Sequence, residues 1–188
     1  EHLLFVPDIK IVFQTRKAEE IVTSVRSYAK EQKLKKSPLS VNEVVTEAVK
    51  DFTSTLQDYP LQIEFEEDPR SPICSLAPLE FELAVFNLLK NAKEALKAQK
   101  ADEPKLFIKL SSSETHCFVD ISDNGAVISD SDFERMGSVF KSGKASGLGI
   151  GLSIVRSIVQ NHNGSLVLVR GKNGGLVCRI RLPILNAQ

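Results

Sequence analysis

Between residues 143 and 164 the chain reads GKASGLGIGLSIVRSIVQNHNG, in which closely spaced glycines come directly before an apolar helical pattern. Gly147, Gly149 and Gly151 are two residues apart, although glycine beside a helix costs conformational entropy. This spacing indicates a backbone that a ligand approaches closely. The usual ligand at the start of a helix is a phosphate, held by free N–H groups and the helix dipole. From this stretch alone, a flexible loop before a core helix is the alternative.

The composition limits the class of protein. The 188 residues fit one domain with or without an appendage, and 42% of them are hydrophobic, enough for a core. No apolar run is long enough to span a bilayer, and the first ten residues do not resemble a signal peptide. The 24 basic and 24 acidic residues cancel, which argues against binding to nucleic acid through bulk charge.

The three cysteines, Cys74, Cys117 and Cys178, are odd in number and far apart. This pattern predicts free thiols in a reducing compartment rather than a disulfide framework or a zinc site. We therefore expect a cytoplasmic location with no membrane contact by this part of the chain. Any anchor in the inner membrane would belong to other parts of a longer protein.

The first part of the chain predicts one long amphipathic helix with a basic end, after which SPLS breaks the pattern. Ser40, with Glu43 three residues later, forms a capping box that opens a second helix to about Leu56. We therefore predict two domains, residues 1–37 and 38–188.

From Ser40 onward, helical patterns alternate with short strand patterns. The predicted elements are a strand at LQIEFEE, a short strand at SPICSLAP, a helix from Pro78 to about Lys100, strands at KLFIKLSSS and HCFVDIS, the glycine helix, and a hairpin of SLVLVR and LVCRIRLP. This order predicts an α/β fold, a two-layer sandwich of helices on a mixed, mostly antiparallel sheet. Residues 124–146 are polar and aperiodic, which makes them a candidate lid.

The helix from Pro78 carries an apolar stripe that should face the core: Phe81, Val85, Leu89, Ala92 and Leu96. Asn87 and Asn91 share a face roughly opposite that stripe. Two carboxamide oxygens one turn apart suit Mg²⁺, while two ordinary surface asparagines are the alternative. Lysines on the flank of this helix, Lys93 among them, could meet phosphate or be merely solvated.

Asp123 ends a strand pattern, and Gly125 follows two residues later. A carboxylate at a strand's end, beside a glycine that lets a ligand approach, can accept a hydrogen bond from an exocyclic amine. A hairpin turn is the alternative, but no strand pattern begins within the next few residues.

These motifs follow one another in a specific order: Asn87-x-x-x-Asn91-Ala92, Asp123-x-Gly125, Phe133 with VFKSGK, and GLGIGLSIV. In that order they resemble the N box, first glycine box, phenylalanine box with lid, and second glycine box of the ATP-binding domain of sensor histidine kinases. Its Bergerat-type fold is shared with gyrase, mismatch-repair and heat-shock chaperone ATPases. The resemblance covers Ser40 to about Pro183, and the first helix is similar to the second helix of the kinase dimerisation hairpin.

The resemblance implies that ATP and Mg²⁺ are bound by a set of residues in these boxes: Asn87, Asn91, Lys93, Asp123, Gly125, Lys141, Lys144, Gly147, Leu148, Gly149, Gly151 and Leu152. Asn91, helped by Asn87, would hold Mg²⁺ against the triphosphate. Asp123 would recognise the adenine amine, and Gly125 would give room for the ring. The glycines of the last box would let backbone amides meet the phosphates, and the lid lysines would add positive charge.

The function implied is that of a protein-histidine kinase, which passes the γ-phosphate of ATP to a histidine on a dimerisation domain absent or truncated here. The implied partners are a second copy, through the hairpin helix, and a response regulator. The histidines of this chain do not resemble an acceptor, and His2 is followed by Leu3 rather than an acidic residue. We therefore expect no self-phosphorylation.

An ATPase of the same fold and a non-catalytic nucleotide-sensing module are the alternatives. Hydrolysing relatives carry a glutamate where this chain has Asn87, which cannot act as a base, and this favours the kinase. Val127 stands where the first glycine box usually has a second glycine. A β-branched residue does not easily take a positive φ, so the loop there should run differently or bind nucleotide less tightly, which favours the sensing module.

Overall fold

Helices and strands alternate through the part of the chain that the computed structural model describes, which is residues 35–56, 59–126, 129–131, 133–134, 149–171 and 175–185. The strands are β1 (Ser37–Ser40), β2 (Gln62–Glu66), β3 (Ile73–Leu76), β4 (Lys105–Ser112), β5 (His116–Asp123), β6 (Ser165–Arg170) and β7 (Leu176–Pro183). The helices are α1 (Val41–Ser54), α2 (Pro78–Ala98) and α3 (Gly149–Asn161). Among these residues, no helix has the length and apolar character needed to cross a membrane.

Five strands form the main sheet in the order β2-β4-β5-β7-β6. β2 pairs with β4 in parallel, and the other neighbours pair antiparallel. The predicted hairpin of the last two strands is present, with Leu168 opposite Cys178. The mixed, mostly antiparallel sheet predicted from the sequence is therefore confirmed.

β1 and β3 form a separate antiparallel ribbon in which Ser37 lies opposite Leu76. An isolated bridge between Cys74 and Ile184 joins this ribbon to the segment after β7. SPLS, which the sequence shows only as a break in a helical pattern, is thus a strand. A four-residue strand containing Pro38 has no periodic signal of its own, and its partner lies more than thirty residues away. The predicted boundary between residues 37 and 38 crosses this strand, while the proposed long helix before it lies outside the described residues.

The helix ends follow the capping signals in the sequence. Ser40 is the N-cap of α1, where its Oγ accepts a hydrogen bond from the Glu43 N–H at 3.4 Å. Pro78 occupies the first turn of α2. α3 is followed by Asn163 at φ +57°, and the Gly164 N–H donates to the Val159 carbonyl at 2.9 Å. A left-handed residue followed by this bond ends the helix sharply.

One face of the sheet packs against the helices. In β5 the alternate residues Cys117, Val119 and Ile121 are buried, as a strand with one covered face requires. In α2 the predicted core stripe is buried except for Ala92, which is partly buried against the core. α2 contacts both α1 and α3. The arrangement is the two-layer α/β sandwich predicted from the sequence.

Candidate nucleotide site

The start of α3 packs against the middle of α2, and the asparagine pair lies at this contact. A Cβ built on Gly151 would lie 3.4 Å from Oδ1 of Asn87 and 3.5 Å from Oδ1 of Asn91. Both amide oxygens therefore point towards the first turn of α3, which is the helix that the glycine run precedes. The pair is half-buried and faces α3 rather than open solvent.

The two asparagines differ in how their amides are held. Nδ2 of Asn87 donates to the Leu83 carbonyl at 2.8 Å, which fixes its Oδ1 on the side of α3. Nδ2 of Asn91 is buried and has no hydrogen-bond partner among the described residues. Because buried polar groups are almost always hydrogen-bonded, this amide is a candidate to bond a ligand or its waters.

Asp123 is the last residue of β5 and lies on the same face of the strand as the buried residues Ile121 and Val119. Its Oδ1 accepts a hydrogen bond from the Gly125 N–H at 2.8 Å. Burial raises the pKa of the Asp123 carboxyl above its usual value, while the backbone N–H groups of Gly125 and Leu176 act in the opposite direction. The result is a carboxyl fixed in orientation at the edge of the core.

Gly175 brings the start of β7 against Asp123. It has φ +68°, and an added Cβ would lie 2.3 Å from the Asp123 carbonyl oxygen. Only glycine fits this position without a shift of the backbone. Sequence reasoning placed Gly175 in a hairpin turn and missed its contact with Asp123, because the contact joins residues that are about fifty positions apart.

The side chains of Gln99 and Asp123 lie against Gly125. A Cβ on Gly125 would lie 2.5 Å from Oε1 of Gln99 and 2.6 Å from Oδ1 of Asp123. Gln99 also accepts a hydrogen bond from the Ala126 N–H at 2.6 Å. The Gln99 amide thus lies directly against Gly125, and both residues border an open cavity of about 380 Å³. Gln99, which caps the end of α2, was missed because glutamine there has no distinctive spacing.

Lys93 lies on a different side of α2 from the asparagines. Its Nζ is 5.6 Å from the ring centroid of Phe52 in α1. Two residues along a helix correspond to a rotation of roughly 200° from Asn91, so Lys93 is directed towards α1 while Asn91 is directed towards α3. The structure does not bring Lys93 together with the other predicted site residues.

Part of the predicted site lies outside the described residues: Val127, Lys141, Lys144, Gly147 and Leu148. Gly149 is the first residue of α3, and Leu152, in its first turn, is half-buried. Of the predicted lid, Phe133 is described; the Arg170 guanidinium lies 4.7 Å from its ring centroid. Arg170 also contacts the Asp130 carboxylate at 2.6 Å, so two residues of this segment are tied to the end of β6.

A family model described as "Histidine kinase-, DNA gyrase B-, and HSP90-like ATPase" matches residues 77–186. This range is more than half of the chain and contains both asparagines, Asp123 and α3. The chain belongs to this family. The predicted resemblance is confirmed, and the described fold is that of the family's ATP-binding catalytic domain in sensor histidine kinases.

Similar curated proteins are bacterial sensor kinases. The chain is 27% identical to the C4-dicarboxylate transport sensor protein DctS of Rhodobacter capsulatus over 93% of its own length and 27% of DctS. It is 25% identical to sporulation kinase B of Bacillus subtilis over 92% of its length and 40% of that kinase. The chain thus spans between about a quarter and two fifths of these two relatives.

Solved structures of this fold include histidine kinase domains. The kinase domain of the Escherichia coli osmosensor EnvZ is 26% identical, with a TM-score of 0.60 over 84% of this chain and 93% of EnvZ's. The histidine kinase ThkA, in complex with the response regulator TrrA, is 23% identical, with a TM-score of 0.74 over 98% of this chain and 54% of that chain. At this identity the ThkA likeness shows the fold alone.

Proposed function

We propose that this chain binds MgATP between α2 and α3 and presents the γ-phosphate to a histidine on a separate dimerisation hairpin, as the catalytic domain of a sensor kinase. The observation that carries the proposal is the convergence of Asn87 and Asn91 on Gly151. Their Oδ1 atoms lie 3.4 and 3.5 Å from the Cβ position at Gly151, in the first turn of the helix that follows the glycines.

The residues present fit a magnesium ion. Mg²⁺ prefers oxygen ligands and keeps several waters, so one or two amide oxygens from the protein are sufficient. The orphaned Nδ2 of Asn91 supports the same assignment, because a water or phosphate oxygen of the bound nucleotide would satisfy it. Asn91 is the principal candidate ligand and Asn87 the second. When bound, the ion would neutralise charge on the phosphates.

The chain's own residues supply orientation and recognition. The N-terminus of α3 offers free N–H groups and the positive end of a helix dipole to the phosphates. Asp123, oriented by the Gly125 N–H, is suited to accept a hydrogen bond from the adenine amine. Since both carboxylate oxygens only accept, a base that presents a carbonyl there would bind poorly. Phosphoryl transfer asks a protein mainly for such positioning and charge stabilisation.

Transfer to a histidine is favoured over transfer to water. Asn87 stands where hydrolysing relatives have a glutamate, and an amide cannot take a proton from water. The histidines described here are unsuited as acceptors, because His162 is buried and His116 lies in β5. The acceptor, a second copy joined through the hairpin helix, and a response regulator are therefore proposed partners, in a bacterial cytoplasm.

The substitution Asn91→Ala tests the proposal. We expect it to abolish Mg²⁺-dependent ATP binding while leaving the fold intact. Titration calorimetry of the 188-residue chain with ATP, with Mg²⁺ and with EDTA, measures this effect, and circular dichroism checks the fold. Asn161→Ala is the matched control, because it removes an exposed asparagine from the far end of α3. The assignment is contradicted if Asn91→Ala binds ATP in the presence of Mg²⁺ as tightly as the wild type does.

A further inference from the structure

His162, at the end of α3, is the buried side chain to which the site described above assigns no role. Its exposed fraction is 3%, and both ring nitrogens are engaged. Nε2 accepts a hydrogen bond from the Ala77 N–H at 3.0 Å, and Nδ1 lies 2.7 Å from the Ile158 carbonyl, to which it donates. The ring also packs at 5.8 Å between centroids against buried Phe81. One imidazole therefore joins the end of α3 to the start of α2.

The contacts of His162 and of Gly151 lie at opposite ends of α3 and set one register. Gly151 and His162 are eleven residues apart, about 16 Å along a helix. On α2, Ala77 precedes Asn87 and Asn91 by ten and fourteen residues, about 15 and 21 Å. The start of α3 contacts the middle of α2 and the end of α3 contacts the start of α2, so the two helices lie antiparallel with matching spans. A displacement of α3 at His162 would therefore also displace Gly151 if the helix moves as one element.

We propose that His162 is a positioning residue for the nucleotide site: by bonding Ala77 it holds α3 in the register that places Gly151 beside the oxygens of Asn87 and Asn91. The predicted effect of His162 on MgATP binding rests on the proposed function. Its structural part, the coupling of His162 to Gly151 and Asn91, can be tested without any nucleotide.

The two bonds require one tautomer of a neutral ring. The proton sits on Nδ1, and Nε2 offers its lone pair to the Ala77 N–H. A second proton on Nε2 would replace that bond with two N–H groups facing each other. The added positive charge would lie between the N-terminal end of α2, whose dipole disfavours it, and the C-terminal end of α3, whose dipole favours it. Protonation of His162 therefore breaks the junction.

On balance the surroundings of the ring favour its neutral form, and burial is the largest cause. Burial lowers the pKa of His162, the Ile158 carbonyl opposes this, and the nearby Lys36 ammonium lowers it further while Glu80 raises it. Lys36 itself donates to the Asn161 carbonyl at the same helix end. The junction is accordingly intact at neutral pH and is lost on acidification below the ordinary histidine value of about 6.5.

The first test follows the ¹⁵N-labelled chain by NMR without nucleotide between pH 8 and pH 5. We expect the Gly151 amide and the Asn91 side-chain signals to shift with the same one-proton transition as the His162 ring. His162→Phe keeps a ring against Phe81 and should remove that transition. His116→Phe, which changes a histidine on the outer side of β5, should leave it in place. The proposal is overturned if the His162 ring titrates and the signals of Gly151 and Asn91 do not change with it.

The second test measures the Kd for MgATP by calorimetry in the same variants. At pH 7.5 we expect His162→Phe to weaken binding about tenfold, the scale of one buried hydrogen bond. The ratio of the wild-type to the His162→Phe affinity should shrink as the pH falls. His162→Gln, which retains an acceptor oxygen, should recover part of the loss. A His162→Phe variant that binds as the wild type does at every pH overturns the proposal, whereas a wild type that binds no MgATP overturns only the proposed function.

Discussion

Asp123 combines a proposed role in recognition with a cost in stability. It is a carboxyl at the edge of the core, and burial raises its pKa in the folded state. A carboxyl whose pKa is higher in the folded than in the unfolded state opposes folding once it is ionised. The free energy of unfolding therefore decreases as the pH rises from about 3.8 through the raised pKa of Asp123. A site that needs this charge for a ligand carries that cost when the ligand is absent.

Asp123→Asn separates the two effects. We expect ATP binding to weaken by about 1.5–3 kcal/mol, the scale of a charged hydrogen bond in a pocket. The urea midpoint of the free chain at pH 7 should stay equal or rise, because an amide does not ionise. Asp120→Asn is the control for binding, since Asp120 lies on the outer face of the same strand and pairs with Arg179 at 2.6 Å. Equal binding of ATP and GTP by the wild type would contradict the role of Asp123.

At the residue scale, the candidate site residues that could be proposed from the sequence are those with fixed spacings within one element. Asn87 and Asn91 are one helical turn apart, and Asp123 ends a strand next to Gly125, so each has a local signal. Contacts between distant residues were not predictable. The contact of Gln99 with Gly125 and the hydrogen bond of His162 with Ala77 both depend on tertiary packing. Lys93 is directed towards α1, because the packing of the helices, and not charge, decides which neighbour each side of α2 faces.

At the scale of elements, the β1–β3 ribbon and α1 meet at Ser40. The Ser40 Oγ accepts from the Glu43 N–H and lies 2.7 Å from the Ser71 Oγ. Ser71 takes φ +44° in the turn before β3. One hydroxyl thus caps a helix and contacts the turn before the partner strand. The cap was predictable from the Ser-x-x-Glu spacing, but the strand before it was not, because strand pairing over a long separation leaves no local pattern.

Ser40→Ala should destabilise the chain by about 1 kcal/mol through loss of the N-cap. Urea unfolding followed by circular dichroism measures this difference. Ser54→Ala changes a serine at the other end of α1, where the hydroxyl is exposed, and should fall within about 0.5 kcal/mol of the wild type. Similar midpoints for Ser40→Ala and the wild type would show that the cap contributes little.

At the scale of the whole described unit, the sheet has one face covered by helices and one that is mainly polar. The outer face carries the Arg179–Asp120 pair, and Arg181 lies 2.9 Å from the His116 ring. This separation of layers was predictable from the alternation of apolar and polar residues. It places the asparagine pair and Asp123 on the helix side of the sheet.

The 188-residue chain should stay unlabelled when it is incubated with MgATP labelled at the γ-phosphate. The reason is that no histidine described here is placed as an acceptor and that His2 lacks the following acidic residue. Gel autoradiography after alkaline and acidic washes detects phosphohistidine. When a second protein that carries the first hairpin helix is added, phosphohistidine label should appear. Acid-labile label on the chain alone, lost in His2→Ala, would contradict this expectation.

The ribbon has a topological consequence. β1 pairs with one edge of β3, and the bridge from Ile184 to Cys74 occupies the other edge, so both ends of the described unit flank the same strand. Two strands on either side of a third are about 10 Å apart, a gap that a few residues span. Joining these ends would make the fold a closed ring of elements. New ends opened in the β4–β5 turn at Glu114 would lie some 25 Å along β5 from Asp123. The order of these motifs along the chain is therefore a feature of its connectivity, whereas their proximity in the structure depends on how the elements pack.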